Sequence, residues 1–347
     1  MSLVYIPVFS EAFEEFNWWT GKYLDYQNCL VSYYYARNRN IREEFNMQKA
    51  FVIGDSGGYQ AITQNVDINP MQVMKWAERN KNNYQMILDR PPFQAGGVSF
   101  GQKFPVELFN QCMEITASNG EKMVEIRQDK EVKLFGIIQG ETLNEIKKWH
   151  ERLEQNVKYD GIALSVKPAY NPIINAIYLA YAIENIDKPI HTLQISGANT
   201  LPVLAYATKF LKFDITTDSS AFAQGNISRK YMIPFSYQIE GFTIGNSREI
   251  NLIEQLCDCN ICKTYSIEDM KNNGRLISLH NLNYMIKKVK FLNILAKDSA
   301  LFKEFVNRNC STKTIEAIRF IDLAKEKGVD KAYKQIIEKQ KSLSAFT

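Results

Sequence analysis

The chain of 347 residues is poor in histidine, with three, and has six cysteines, ten prolines and a formal net charge of only +4. No run of about 18 apolar residues occurs, which excludes a membrane-spanning helix. The N-terminus, MSLVYIPVFSEAFEEF, has no basic segment leading into an uninterrupted apolar stretch, so it does not read as a secretory signal. No internal repeat or low-complexity linker interrupts the chain, and no free-standing third domain is indicated. A soluble intracellular protein without a membrane partner is the expectation. With 45% hydrophobic residues and 12% aromatics, the chain can bury a large core.

The cysteines do not make a disulfide framework. Cys257, Cys259 and Cys262 fall within six positions, a spacing that suits a metal in a reducing compartment. Cys29, Cys112 and Cys310 are scattered and read as ordinary buried or half-buried thiols. His280 follows Cys262 by eighteen residues, in Leu279-His280-Asn281-Leu282. Three thiolates and an imidazole complete a tetrahedral set for Zn2+ with no position open to water, so the site is expected to be structural. It would staple a loop-rich insert that cannot bury its own core.

Charge is unevenly spread. Residues 283–347 hold fourteen Lys/Arg against seven Asp/Glu, and the preceding 282 residues hold 28 against 31. A basic C-terminal region reads equally as a phosphate-binding footprint or as a solvated helical face.

Short apolar, β-branched runs alternate with helical spacing through the first two-thirds. The expected strands are Cys29–Tyr34, Ala50–Gly54, Gln85–Leu88, Lys133–Ile138, Gly161–Ser165, His191–Ile195 and Phe213–Thr217. Between them lie expected helices at Pro70–Asn80, Pro105–Asn119, Leu143–Gln155, Pro172–Asn185 and Leu201–Leu211. Such alternation implies a parallel sheet covered by helices. Polar or acidic residues close strand after strand: Asp55, Asp89, Gln139, Ser165, Ser196 and Asp218. That favours a closed barrel, in which all those ends converge, over a doubly wound sheet. After Pro234 the pattern turns loop-rich. From Leu282 it becomes helical, with expected helices at Ser299–Asn309, Ser311–Lys327 and Asp330–Lys341. The fold class expected is α/β: a (β/α)8 TIM barrel over 1–285 with a zinc-binding insert at about 246–282. A basic helical region, 283–347, packs on it.

Asp55-Ser56-Gly57-Gly58-Tyr59-Gln60 follows an apolar strand, and its glycines allow close backbone approach to a ligand. A tight turn capped by Asp55 is the plainer reading. Ile87-Leu88-Asp89-Arg90-Pro91-Pro92 and Asp214-Ile-Thr-Thr-Asp218-Ser219-Ser220 again end strands in carboxylates, and Gly136-Ile-Ile-Gln139-Gly140 ends one in an amide. Carboxylates at converging strand ends make a nucleophile and acid/base pair possible.

Together these motifs resemble the tRNA-guanine transglycosylase family, in that family's order, over roughly residues 50 to 285. The segment from Ser196-Gly197-Ala198 to Asp218-Ser219-Ser220-Ala221-Phe222 resembles its nucleophile region. The resemblance implies a zinc-containing barrel, a pentosyltransferase of the queuosine and archaeosine type, that exchanges guanine for a 7-deazaguanine such as preQ0 or preQ1. It implies Asp218 as nucleophile and Asp55 as acid/base. Asp89 would read the N1–H and 2-amino edge of the base, Gln139 the O6 side, and Tyr59 would stack on it. Ser56 and Gly197 would join the substrate site, and the enzyme would be a homodimer.

The chain also departs from the family. Its first 50 residues differ, with Leu30-Val-Ser-Tyr-Tyr-Tyr-Ala-Arg in place of the usual segment. The Arg-Asn-Gly run after the nucleophile is missing, and the loop after the fifth strand reads Ala163-Leu-Ser-Val-Lys-Pro168. The zinc insert is short, and no RNA-binding domain of the archaeal kind is appended. This pattern resembles the divergent, often phage-borne branch that modifies DNA, which would act in a host cytoplasm. A shortened tRNA enzyme is the alternative. Other readings are a non-catalytic partner subunit, against which both aspartates argue, and an unrelated zinc-bearing hydrolase, which leaves the joint motifs unexplained.

Overall fold

A computed structural model describes residues 1–92, 105–165, 171–233, 242–243 and 257–344. Val166–Pro168 and residues 246–256 of the expected zinc insert lie outside them. Eight strands form one sheet: β1 Leu3–Pro7, β2 Asn28–Ser32, β3 Phe51–Asp55, β4 Tyr84–Met86, β5 Lys133–Ile138, β6 Gly161–Leu164, β7 Ile190–Thr192 and β8 Ile215–Ser219. The order is β1-β8-β7-β6-β5-β4-β3-β2, so the first strand lies beside the last. The pairs β1/β8, β3/β4, β4/β5 and β5/β6 run parallel. Chain-ordered parallel strands with helical crossovers, first beside last, define a (β/α)8 barrel. A two-stranded antiparallel ribbon, β9 Lys230–Tyr231 with β10 Phe242–Thr243, follows.

The helices are α1 Tyr33–Ala36, α2 Ile41–Glu44, α3 Gly58–Thr63, α4 Pro70–Arg79, α5 Val106–Ile126, α6 Leu143–Leu153, α7 Pro172–Asn185, α8 Leu201–Ala207 and α9 Gln224–Ser228. They continue with α10 Asn260–Thr264, α11 Ile267–Asn272, α12 Gly274–Leu295, α13 Ser299–Asn309, α14 Thr312–Lys327 and α15 Val329–Ser344. No helix among the described residues is long and apolar enough to cross a membrane.

The chain divides into two compact units. One comprises 29–165 and 188–191; the other comprises 1–28, 166–187 and 192–347. In the former, β3 to β6 are buried along nearly their whole length (Val52, Ile53, Met86, Leu134, Ile137, Ile162), as strands covered on both faces must be. Their helices begin where capping residues stop the chain. Asn69 accepts the Met71 N–H ahead of Pro70, and Thr142 with Glu145 forms a reciprocal capping box. Trp149 then donates its indole N–H to the Ile137 carbonyl at 2.8 Å, tying α6 to β5.

In the other unit β1 pairs with β8 in the register Ile6↔Asp218 and Pro7↔Ser219. Asn293 of α12 grips Leu3 from both sides, accepting its N–H and donating to its carbonyl, each at 2.8 Å. An aromatic cluster of Phe13, Trp18 and Phe222, with centroids 5.3–5.6 Å apart, packs the N-terminal segment on the turn after β8. The helix α12 carries His280 and runs on through residue 283, where the basic region begins.

Three sequence expectations need correction. The strand expected over His191–Ile195 ends at Thr192, because the chain turns there and Gln194 takes a left-handed φ of 56°. The second strand does not reach Tyr34: it ends at Ser32, and Tyr33–Ala36 coils into a helical turn. Asp214 is not inside β8 but just ahead of it, exposed, where its carboxylate accepts the Ser2 N–H at 2.7 Å.

Candidate active site and metal centre

In the unit of 29–165, β3 delivers Asp55 at its last position, half-buried. The turn that follows needs its glycines. Gly57 has φ +78°, and a Cβ on Gly58 would lie 2.3 Å from Asp89 Oδ1 and 2.4 Å from the Asp89 carbonyl. The Asp-Ser-Gly-Gly turn is thus pressed against the segment after β4. Gln139, buried directly after β5, donates its amide to Asp89 Oδ2 at 2.8 Å, which orients Asp89. Burial pushes the Asp89 carboxyl up to about 7, and the charge of Asp55 adds to this while the Gln139 bond opposes it. Ser56 is fully buried and its hydroxyl has no hydrogen-bond partner among the described residues. Tyr59, in the first turn of α3, is 55% exposed. Asp55, Ser56, Gly58, Asp89 and Gln139 therefore combine acid, hydroxyl and amide groups on three successive strand ends.

In the other unit Asp218 is 2% exposed, one residue from the end of β8. Its Oδ1 accepts the backbone N–H of Gln194 at 2.9 Å. The next residue is fixed as well, because buried Tyr5 donates its hydroxyl to the Ser219 carbonyl at 2.9 Å. Burial holds the Tyr5 phenol protonated and well above its ordinary pKa. Gly197 opens the approach to α8, where its carbonyl accepts the N–H groups of Thr200 and Leu201.

The four expected metal ligands come together, all donor atoms within 4.8 Å of one another. Cys257, Cys259 and Cys262 set their sulfurs 3.4, 3.5 and 3.3 Å from His280 Nδ1. A tetrahedral ion with Zn–S of about 2.3 Å and Zn–N of about 2.0 Å separates nitrogen from sulfur by about 3.5 Å, so the donor set fits such an ion. His280 Nε2 bonds the Met232 carbonyl at 2.8 Å, leaving Nδ1 turned to the three sulfurs. Tyr231 stacks on His280 at 3.8 Å and reaches Cys262 Sγ at 3.3 Å with its hydroxyl. Burial disfavours the His280 imidazolium, but the Cys257 and Cys259 thiols outweigh it and raise its pKa to about 9. Asn281 adds three bonds: it accepts the Met232 N–H and donates to the Phe222 and Lys230 carbonyls. The helix that carries His280 thus also clamps the segment that follows the Asp218 strand.

The basic region is not uniformly available to a polyanion. Lys288 is 6% exposed beside the Tyr284 ring, and Lys287 pairs with Asp258 at 2.8 Å, inside the cysteine cluster. Lys290 is exposed. Cys29 and Cys112 are buried and Cys310 half-buried, as expected for ordinary thiols.

Sequence reasoning missed Gln194, Tyr5, Tyr231 and the role of Asn281. Only Asn281 carried a signal, its place beside His280; the others act through backbone geometry or ring packing that no local motif encodes.

No protein-family profile matches the chain. A tRNA-guanine(15) transglycosylase of Sulfolobus acidocaldarius is 24% identical over 310 residues, covering 84% of this chain and 57% of the relative. That of Methanocaldococcus jannaschii is 22% identical, covering 85% of this chain and 45% of the relative. A queuine tRNA-ribosyltransferase of Prochlorococcus marinus subsp. pastoris is 24% identical, covering 73% of each. The chain spans about half the length of the first two relatives. Among solved structures, the carboxyl transferase domain of Rhizobium etli pyruvate carboxylase has a TM-score of 0.29 at 10% identity, covering 96% of this chain and 55% of that one; this likeness carries no weight. Fold and site define a (β/α)8-barrel protein with a Cys3His cluster and carboxylates at its strand ends. In sequence the chain is similar to members of the tRNA-guanine transglycosylase family.

Proposed function

We propose that the chain is a guanine transglycosylase that exchanges guanine in a polynucleotide for a 7-deazaguanine through a covalent aspartyl-glycosyl intermediate. The observation that carries this is Asp218: a buried carboxylate at the end of β8, aimed by a backbone N–H, in a chain whose relatives bear transglycosylase names. In the first half-reaction Asp218 attacks C1′ of the target nucleoside. The C1′–N9 bond breaks and guanine leaves with a proton from Asp55. In the second half the incoming base gives its proton to Asp55 and displaces Asp218 from C1′. A carboxylate suits the oxocarbenium-like centre, as in retaining glycosidases.

Asp89 would accept the N1–H and 2-amino protons of the base, since a carboxylate is the natural partner of two adjacent donors. Gln139 orients Asp89 and is free to reach the O6 side with its remaining groups, while Tyr59 stacks on the ring. Ser56 and Gly197 line the substrate site, and the partnerless Ser56 hydroxyl supports that role. The target nucleotide must leave its stack to reach such a site. Cys257, Cys259, Cys262 and His280 hold a structural Zn2+, whose chemistry is confined to cross-linking the chain. The assembly is a homodimer acting in the cytoplasm.

The relatives' names favour tRNA over DNA as the polynucleotide. Incubating the protein with labelled guanine and either total tRNA or duplex DNA tests both statements. Label should enter tRNA and should fail to do so with Asp218→Ala. Label in DNA alone would move the substrate to DNA, and label in neither would overturn the reading.

A further inference from the structure

The segment after β2 forms an exposed aromatic and basic surface beside the Asp-Ser-Gly-Gly turn. Tyr34 and Tyr35 pack edge to face with centroids 4.9 Å apart, and Tyr35 is 69% exposed. The Arg37 guanidinium lies 5.7 Å from the Tyr34 ring centre. Tyr34 also touches the turn: a Cβ on Gly57 would lie 3.0 Å from Tyr34 Cβ.

The scaffold beneath is hydrogen-bonded to α4. Trp76 donates its indole N–H to the Ala36 carbonyl at 2.8 Å, and Arg79 donates to the carbonyls of Arg37 and Arg39 at 2.9 and 3.0 Å. Three exposed arginines, 37, 39 and 79, gather here, and Glu44 pairs with Arg39 at 2.8 Å. Ser32, the last residue of β2, is 8% exposed, and its hydroxyl has no hydrogen-bond partner among the described residues, as with Ser56 after the neighbouring strand.

An aromatic ring held out into solvent by a hydrogen-bonded support, among arginines, matches what an unstacked nucleobase and its phosphate require. A protein partner would be met by an apolar patch, but here the Arg37 guanidinium lies over the Tyr34 ring and Arg39 and Arg79 are exposed nearby. We propose that Tyr35, backed by Tyr34 and Arg37, is a stacking platform for a nucleotide flanking the exchanged guanine, and that Arg37 contacts its phosphate. The proposal rests on the transglycosylase reading for the identity of the neighbouring base, but not for its own readout.

The test is a single-stranded RNA oligonucleotide with 2-aminopurine next to a guanine, titrated with the protein while fluorescence is recorded. Wild type should quench the probe. Tyr35→Ala should bind about tenfold more weakly with the quench lost, and Tyr35→Phe or Tyr35→Trp should retain it. Arg37→Ala should weaken binding and reduce its salt dependence by about one released counterion. An unchanged melting temperature in Tyr35→Ala, expected for so exposed a side chain, keeps the comparison valid. Equal affinity and quench in wild type and Tyr35→Ala overturn the platform, whether or not guanine is exchanged. A chain that quenches through Tyr35 but exchanges no guanine leaves the platform standing and sinks the transglycosylase reading alone.

Discussion

Gln194 aims its backbone N–H at Asp218 Oδ1, 2.9 Å away, and does so with φ at +56°. A non-glycine residue in that left-handed region costs on the order of 1–3 kcal/mol and persists only where the surroundings hold it. Here the strained residue aims a donor at the proposed nucleophile. Gln194→Gly adopts the same backbone without strain and should keep near-wild-type exchange. Gln194→Pro removes the donor and forbids the φ, and should lower kcat at least tenfold with Asp218 intact. Equal rates for the two variants would show that the bond does not position the carboxylate.

Asp89 should impose a pH dependence on base binding. Its carboxyl is pushed up to about 7 by burial, with the Asp55 charge adding to the rise. Below that pH it is neutral and offers a proton where the base needs an acceptor, so KM for the free base should rise as pH falls through 7. Asp89→Asn should flatten the profile and weaken binding by roughly 1–3 kcal/mol. The same shift acts on stability. Between about 4, the unfolded value, and 7 the folded state binds the extra proton, so stability falls as pH rises through that window. Melting curves of Asp89→Asn should lack this component.

Gly58→Ala should damage the site from a position that carries no functional group. Its Cβ would meet both the carboxylate and the carbonyl of Asp89 at under 2.5 Å, and the backbone oxygen cannot swing aside. Overpacking of this kind costs about 1–3 kcal/mol. Calorimetry should register a lowered melting temperature together with lost affinity for the base. A variant as stable and as tight-binding as wild type would mean that the turn and Asp89 can separate.

Elemental analysis should find about one zinc per chain, and Cys259→Ser should reduce that content and the melting temperature together. Because Asn281 joins α12 to the carbonyls of Phe222 and Lys230, metal removal should also loosen the segment after β8. Hydrogen exchange over residues 221–232 should accelerate on chelation. A metal-free protein of undiminished stability would remove the centre from the account.

How much of this could be read from the sequence depended on what carries each feature. Lys133–Ile138 and Pro172–Asn185 are found where their patterns predict them, because an unbroken apolar run and an Asn-Pro start are local signals. β1 was not foreseen: its five residues, flanked by a chain start and closed by Pro7, have a partner only 212 residues away in β8. The tyrosines after β2 favour strand by propensity, but the chain turns helical there, held by Trp76 and Arg79 of α4. Asp55 and Asp89 were legible because they follow apolar runs, whereas Asp218, after Asp214-Ile-Thr-Thr, stood out as the nucleophile only through the family resemblance. Gln194 and Tyr5 were not, since a main-chain donor and a phenol on a backbone carbonyl leave no motif. The basic surplus of the C-terminal region was legible as a count, but burial of Lys288 and the Lys287–Asp258 pair were not.

The central claim is that Asp218 forms the covalent bond to the nucleoside while Asp55 moves the proton. Denaturing the reaction of the protein with its polynucleotide, isolating the adduct and mapping the modified peptide tests it directly. The expected result is a ribosyl adduct on Asp218, none with Asp218→Ala, and slow adduct formation with Asp55→Ala, whose lost acid/base step costs on the order of 10²–10⁴ in rate. An adduct on Asp55, or on neither aspartate in a protein that still exchanges guanine, would contradict it.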